Sequence, residues 1–186
     1  MPTVILERPA DHVAVVRLNR PEAKNALNSE LRKLLSEHFR QLGDDHTVRC
    51  IVLAGTAEVF AAGADLKEIV DAEPIDPMQR RIVQFWKAIA GCPKPVIAAV
   101  NGPALGGGCE LALAADIIIA GESATFGQPE VRVGIMPGGG ATQRLVRAIG
   151  KYRTMKMLLT GQPVKAREAL EMGFVTDVVA DQVVLD

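Results

Sequence analysis

Three carboxylates in this chain sit beside glycine-rich segments. Glu110 directly follows Gly106-Gly107-Gly108. Glu130 closes Thr125-Phe126-Gly127-Gln128-Pro129-Glu130, and Asp65 follows Ala61-Ala62-Gly63-Ala64. A pair of carboxylates, one ionised and one protonated, supplies both a general base and a general acid. A glycine run between a strand and a helix lets a ligand approach the backbone closely. The first amides of the helix then present unpaired N–H groups at the positive end of its dipole, where a phosphate or an oxyanion is stabilised. Each feature also has a plainer reading. Glu110 could complement a helix dipole, Glu130 could be a solvated loop acid and Asp65 an N-cap. The triple glycine could be a tight turn with no ligand. Spacing alone leaves both readings open.

Other chemistries fail on the letters. A dinucleotide fingerprint G-x-G-x-x-G needs glycine at 111, where Leu111 stands. A Walker A loop needs Gly-Lys-Ser/Thr, and Cys109-Glu110 follows the glycines instead. A G-x-S-x-G elbow is missing; Gly121-Glu122-Ser123-Ala124-Thr125 lacks the closing glycine. His12, His38 and His46 lie outside every glycine-rich segment. A His-dependent triad or His-ligated metal is therefore not expected. Cys50, Cys92 and Cys109 are an odd, widely spaced set without C-x-x-C, so neither a disulfide framework nor a zinc site is expected. The reaction is expected to need no metal and no nicotinamide cofactor.

The elements that must position these acids alternate. Val4–Arg8 and Val13–Leu18 read as strands, and residues 29–43 as an amphipathic helix with Leu31, Leu34, Leu35, Phe39 and Leu42 at 3–4 spacing after an Asn28 cap. Cys50–Ala54 is a buried strand. A loop at Phe60–Gly63, a short helix from Asp65 and a longer helix near Pro77–Ala90 follow. Strand Pro95–Val100 leads into the glycine turn, an apolar helix Cys109–Ala115 and strand Ile117–Ala120. Helices are predicted at about 141–149, 151–160 and 165–172, with a last strand at Val175–Val179. Strands alternating with helices define an α/β fold. Nothing divides residues 1–186, so a single domain is expected.

With 48% hydrophobic residues and 23% charged, the chain has an ordinary globular mixture. A net charge of −1 gives no field that favours nucleic acid or an anionic membrane. The N-terminus, with Glu7 and Asp11 and no long apolar run, does not read as a signal peptide, and no apolar run approaches a membrane span. A reducing, cytoplasmic location is expected.

Taken together, the segments resemble the enoyl-CoA hydratase (crotonase) family. Phe60-Ala61-Ala62-Gly63-Ala64-Asp65-Leu66-Lys67-Glu68 is similar to its first oxyanion loop. Residues Ile97 to Ala112, with Asn101-Gly102-Pro103-Ala104-Leu105 and the triple glycine, are similar to its signature segment. Phe126-Gly127-Gln128-Pro129-Glu130, Gly134 to Leu145 and Leu18-Asn19-Arg20-Pro21-Glu22-Ala23-Lys24-Asn25-Ala26-Leu27 complete the pattern in family order over nearly the whole chain.

The resemblance implies a crotonase-like spiral of ββα turns and hydration of a 2-enoyl-CoA thioester. It implies that the peptide N–H groups of Ala64 and Gly107 form an oxyanion hole and that Glu110 and Glu130 are the catalytic pair. It further implies that Ala62, Ala64, Asp65, Leu66 and Lys67 line the CoA pocket, with Gly107 on the carbonyl and Gly138 helping to hold the water. Glu110 is assigned mainly to the water and Glu130 to proton transfer at Cα. Coenzyme A belongs to the substrate, and a homotrimer or hexamer is implied. Related isomerases commonly keep one of the two acids, so retention of both favours a hydratase over an isomerase, a hydrolase or a non-catalytic acyl-CoA binder. RNA binding would want a basic helix, and Arg32-Lys33 is too small a cluster. Two departures stand out: the chain stops at Val183-Val184-Leu185-Asp186, before the family's C-terminal helical segment, and Pro103 is expected in the turn, where it would alter pocket shape. Around Gly134–Gly138 the chain is similar to bacterial phenylacetate-pathway hydratases, which act on an unsaturated dicarboxylyl-CoA; the acyl chain is otherwise open.

Overall fold

The computed structural model describes residues 2–70 and 82–185. β1 (Val4–Ala10) and β2 (Val13–Leu18) form an antiparallel hairpin whose turn passes through His12 at φ 66°. Beyond β2 the sheet is parallel. β3 (Cys50–Ala54), β4 (Val96–Val100), β6 (Ile117–Gly121) and β9 (Asp177–Val179) add in turn, giving the order β1-β2-β3-β4-β6-β9. A second, short sheet holds β5 (Pro103–Leu105), β7 (Thr125–Gly127) and β8 (Val164–Lys165). Isolated parallel bridges, Ala61 with Ala104 and Leu27 with Ala64, carry that second layer back towards the N-terminus.

Successive turns of the chain therefore repeat one plan. A strand of the large sheet is followed by a short extended piece of the second layer, and then by a helix. α1 (Ser29–Asp44) returns the chain from β2 to β3 and is capped by Asn28, whose side chain accepts from Leu31 N at 2.9 Å. It buries Leu31, Leu35, Phe39 and Leu42 against the sheet. Among the described residues α2 (Ile82–Ala90), α3 (Gly107–Ala112), α4 (Ala141–Thr160) and α5 (Ala166–Met172) follow. The core runs between the layers around Phe39, Phe60, Phe126, Leu53 and Leu111.

Sequence and structure differ where elements are short. β5, β7 and a 3-10 turn at Pro129–Val133 stand where glycine loops were read, because three residues are too few to display alternation. Pro103 consequently lies in a strand, at its first residue, where the missing N–H is harmless and its carbonyl accepts from Ala61 N at 3.1 Å. The apolar helix spans Gly107–Ala112 rather than Cys109–Ala115, since two of the glycines belong to its first turn. The two helices expected around residue 150 abut at Gly150, whose φ of 77° breaks the helical run. β9 begins two residues later than expected. Of the helix expected near Pro77–Ala90, the part before residue 82 lies outside the described residues. Among those residues no helix is long and apolar enough to cross a membrane.

Candidate active site

The second layer brings the two backbone donors together. Gly63 O accepts from Leu27 N at 2.7 Å. A trans peptide points its N–H opposite its C=O, so Ala64 N–H faces away from Leu27. It faces the start of α3: a Cβ built on Gly107 would stand 3.6 Å from Ala64 N, and one on Gly63 would stand 3.6 Å from Gly107 N. Among the described residues neither Ala64 N nor Gly107 N finds an acceptor within the chain. Gly108 lets α3 come this close, because a Cβ there would stand 2.1 Å from Ala61 O. Two adjacent, unused amide donors are the arrangement that polarises a carbonyl.

Glu110 lies three residues into α3 and is buried. Its Oε1 accepts from Gly139 N at 2.7 Å and from Ala141 N at 3.0 Å, so it caps the start of α4 rather than complementing its own helix. Burial nevertheless raises its pKa above the usual carboxylate range, outweighing these backbone donors and the nearby Arg144 cation. Oε2 makes no hydrogen bond within the described residues and lies beside Gly139.

Glu130 stands on the 3-10 turn after β7 and is also buried. Its Oε1 would be 2.9 Å from a Cβ on Gly106, at the mouth of the same turn that launches α3. Desolvation, with the Glu110 charge adding to it, pushes its pKa up to about 6. Both carboxyls thus have raised proton affinity, and the Glu110 charge adds to that of Glu130, which favours a state with Glu130 protonated and Glu110 ionised.

Two residues that sequence reading passed over complete the surroundings. Gln128 is fully buried, and with its amide nitrogen turned towards Glu130 it donates to both carboxylate oxygens at 3.2 Å. Its other partner is Cys109, whose buried thiol is pushed up to about 12 and is therefore an inert proton donor. A glutamine between Gly127 and Pro129 looks like loop polarity in sequence; only its complete burial marks it. Trp86, on α2, lies against Gly139 and, with Val83, Ala90, Gly138 and Arg144, lines a cleft of about 520 Å³. The signal for it was the one tryptophan in the chain, on a helix with an apolar face.

The remaining sequence candidates fall in two places, Ala62 to Lys67 in the segment after Phe60 and Gly138 in the glycine run before α4. Ala62 N is bonded to Lys24 O at 3.0 Å, while Leu66 and Lys67 are exposed on a 3-10 turn. The Asp65 side chain is turned inward: Oδ2 meets Arg20 Nη1 at 2.6 Å and Oδ1 accepts from Lys67 N at 3.1 Å. Gly138 is exposed at the rim of the Trp86 cleft.

A spiral of strand–strand–helix turns with its acids at the helix starts defines a protein of the crotonase-fold class. The chain matches the model of the enoyl-CoA hydratase/isomerase family over residues 8–186 and belongs to that family. It is 45% identical over 177 residues to a probable enoyl-CoA hydratase of Mycobacterium bovis, covering 95% of this chain and 68% of that protein. It is 44% identical over 174 residues to the 2,3-dehydroadipyl-CoA hydratase of Escherichia coli, covering 94% of this chain and 68% of that one. The crystal structure of a Geobacillus kaustophilus enoyl-CoA hydratase subunit superposes with a TM-score of 0.95 at 38% identity, covering 98% of this chain and 71% of that one.

Proposed function

We propose that the protein adds water across the double bond of a 2-enoyl-CoA thioester, syn, giving a 3-hydroxyacyl-CoA. The observation that carries this reading is the meeting, at one helix start, of two buried acids and two unpartnered backbone donors. The thioester carbonyl oxygen rests on Ala64 N–H and Gly107 N–H, which take up the enolate-like charge as water attacks Cβ; loss of one such donor typically costs about 2.7–4 kcal/mol of barrier. Glu110 fits the water-activating role. Its Oε1 is fixed by Gly139 and Ala141. Oε2 is left to accept the water proton. Glu130, whose pKa of about 6 keeps a protonated fraction near neutrality, fits delivery of the proton to Cα. Gly138, at the rim, helps hold the water. Ala62, Leu66, Lys67 and the Asp65 backbone fit the CoA moiety.

No step calls for a metal or a nicotinamide. Assembly into a trimer or hexamer and a cytoplasmic location accompany this reading. A spectrophotometric hydration assay over enoyl-CoA esters of graded length, one of them dicarboxylic, tests it. Loss of the enoyl absorbance with at least one ester supports hydration, and none with any ester refutes it.

A further inference from the structure

Ala64 N–H owes its direction to a segment well before it in the chain, and one side chain fastens the two together. Arg20 lies between β2 and α1, with its side chain only 18% exposed. One nitrogen, Nη1, donates both to Asp65 Oδ2 at 2.6 Å and to Ala26 O at 3.0 Å. Ala26 precedes Leu27, whose N–H holds the Gly63 carbonyl, and Asp65 follows Ala64. The guanidinium therefore grips Ala26 and Asp65, the residues that flank the isolated Leu27–Ala64 bridge on its two segments.

The grip is itself anchored. Arg20 N donates to Asn25 Oδ1 at 2.8 Å, and Asn25 Nδ2 donates to Val59 O and Phe60 O, each at 3.0 Å. Asp65 is 11% exposed in its side chain, so the pair is largely screened from water and its hydrogen bond is charge-assisted. On the far side of the bridge Arg32 donates to Leu27 O and pairs with Glu68, which also accepts from Ser29 N at 2.9 Å.

We propose that Arg20 is a positioning residue for the oxyanion hole: through Asp65 and Ala26 it fixes the Gly63–Ala64 peptide so that Ala64 N–H stays beside Gly107 N–H. The proposal rests on the hydratase reading above. Arg20 touches no reacting atom. Its contribution reaches the transition state only through the angle and distance of one amide, where small misplacements cost rate steeply. Lysine, a single-point cation, can keep the Asp65 contact but holds both acceptors less rigidly than the planar guanidinium.

The test reads carbonyl polarisation and turnover together. Difference infrared spectra of a bound saturated acyl-CoA, which cannot be hydrated, report the thioester C=O stretch. In the unaltered protein this band is expected at lower frequency than for the free thioester. In Arg20→Met it is expected to return most of the way to the free value, with kcat for an enoyl-CoA down about 10–100-fold and the Kd for the saturated ester changed less than threefold. Arg20→Lys is expected between the two. Asp65→Asn, isosteric and uncharged, repeats the loss and serves where Arg20→Met does not fold. A folded Arg20→Met or Asp65→Asn with unaltered band and kcat, whatever its melting temperature, overturns the proposal. No band shift and no hydration in the unaltered protein would instead refute the hydratase reading.

Discussion

Glu110 Oε1 accepts the Gly139 N–H at 2.7 Å, joining the helix launched from one glycine run to the middle of another, 29 residues on. That bond, with the one from Ala141, fixes the carboxylate at the start of α4. Gly139 has no room for a side chain: a Cβ would stand 2.6 Å from Glu110 Oε2 and 2.3 Å from the Trp86 ring. Gly139→Ala is expected to displace both and to lower kcat at least tenfold. Stability should fall by about 1–3 kcal/mol, the usual cost of overpacking. Turnover and thermal melts of the variant check this; unchanged kcat would mean that the seating of Glu110 does not matter to the reaction.

Glu130 couples function to pH. Its folded pKa, about 6, lies above the ordinary 4.5. Between those values the folded state binds more protons than the unfolded one, so this group's contribution to stability falls as pH rises and is fully lost above about 6. Glu130→Gln lacks that penalty. Relative to the parent it is expected to gain about 2 kcal/mol between pH 4 and pH 7.5, or roughly 4–8 °C in melting temperature. Melts at both pH values measure it; a variant that loses stability relative to the parent over that interval contradicts the raised pKa.

Gln128 gives the same acid a second handle. Its amide donates to the ionised carboxylate and so favours it. Gln128→Leu is expected to move the Glu130 titration to higher pH. In a kcat/KM profile for hydration, which needs Glu130 protonated, activity should decline with rising pH through about 6 in the parent and at least half a pH unit higher in the variant. Coincident profiles would remove Gln128 from this role.

Removal of metal is expected to do nothing. Every proton and charge in the proposed step is handled by Glu110, Glu130 and two amides, so turnover after exhaustive chelation should match the untreated protein within error. Abolished turnover restored by zinc would require a different mechanism.

The long elements were plain in the sequence because periodicity needs length. The leucine spacing of α1 and the Asn28 cap foretold helix and start alike. The acids Glu110 and Glu130 and the segments around them were legible through the family resemblance. What stayed hidden was pairing between distant short pieces: the bridges Leu27–Ala64 and Ala61–Ala104 leave no local signature. Likewise Asp65 reads as a cap, which it is, but nothing in its neighbourhood announces Arg20 as its partner. Gln128 and Trp86 gain meaning only from burial and from the approach of Gly139.

The most direct test of the two-acid site is steady-state kinetics of Glu110→Gln and Glu130→Gln with a 2-enoyl-CoA, alongside Kd for a saturated acyl-CoA and thermal melts. Glutamine keeps volume but exchanges no proton. Each single variant is expected to lose about 10²–10⁴-fold in kcat with Kd nearly unchanged. The double variant should fall far short of the product of the two losses, since both acids serve one addition. Near-parental kcat in either well-folded single variant would contradict the assignment of that acid, and with it hydration by this pair.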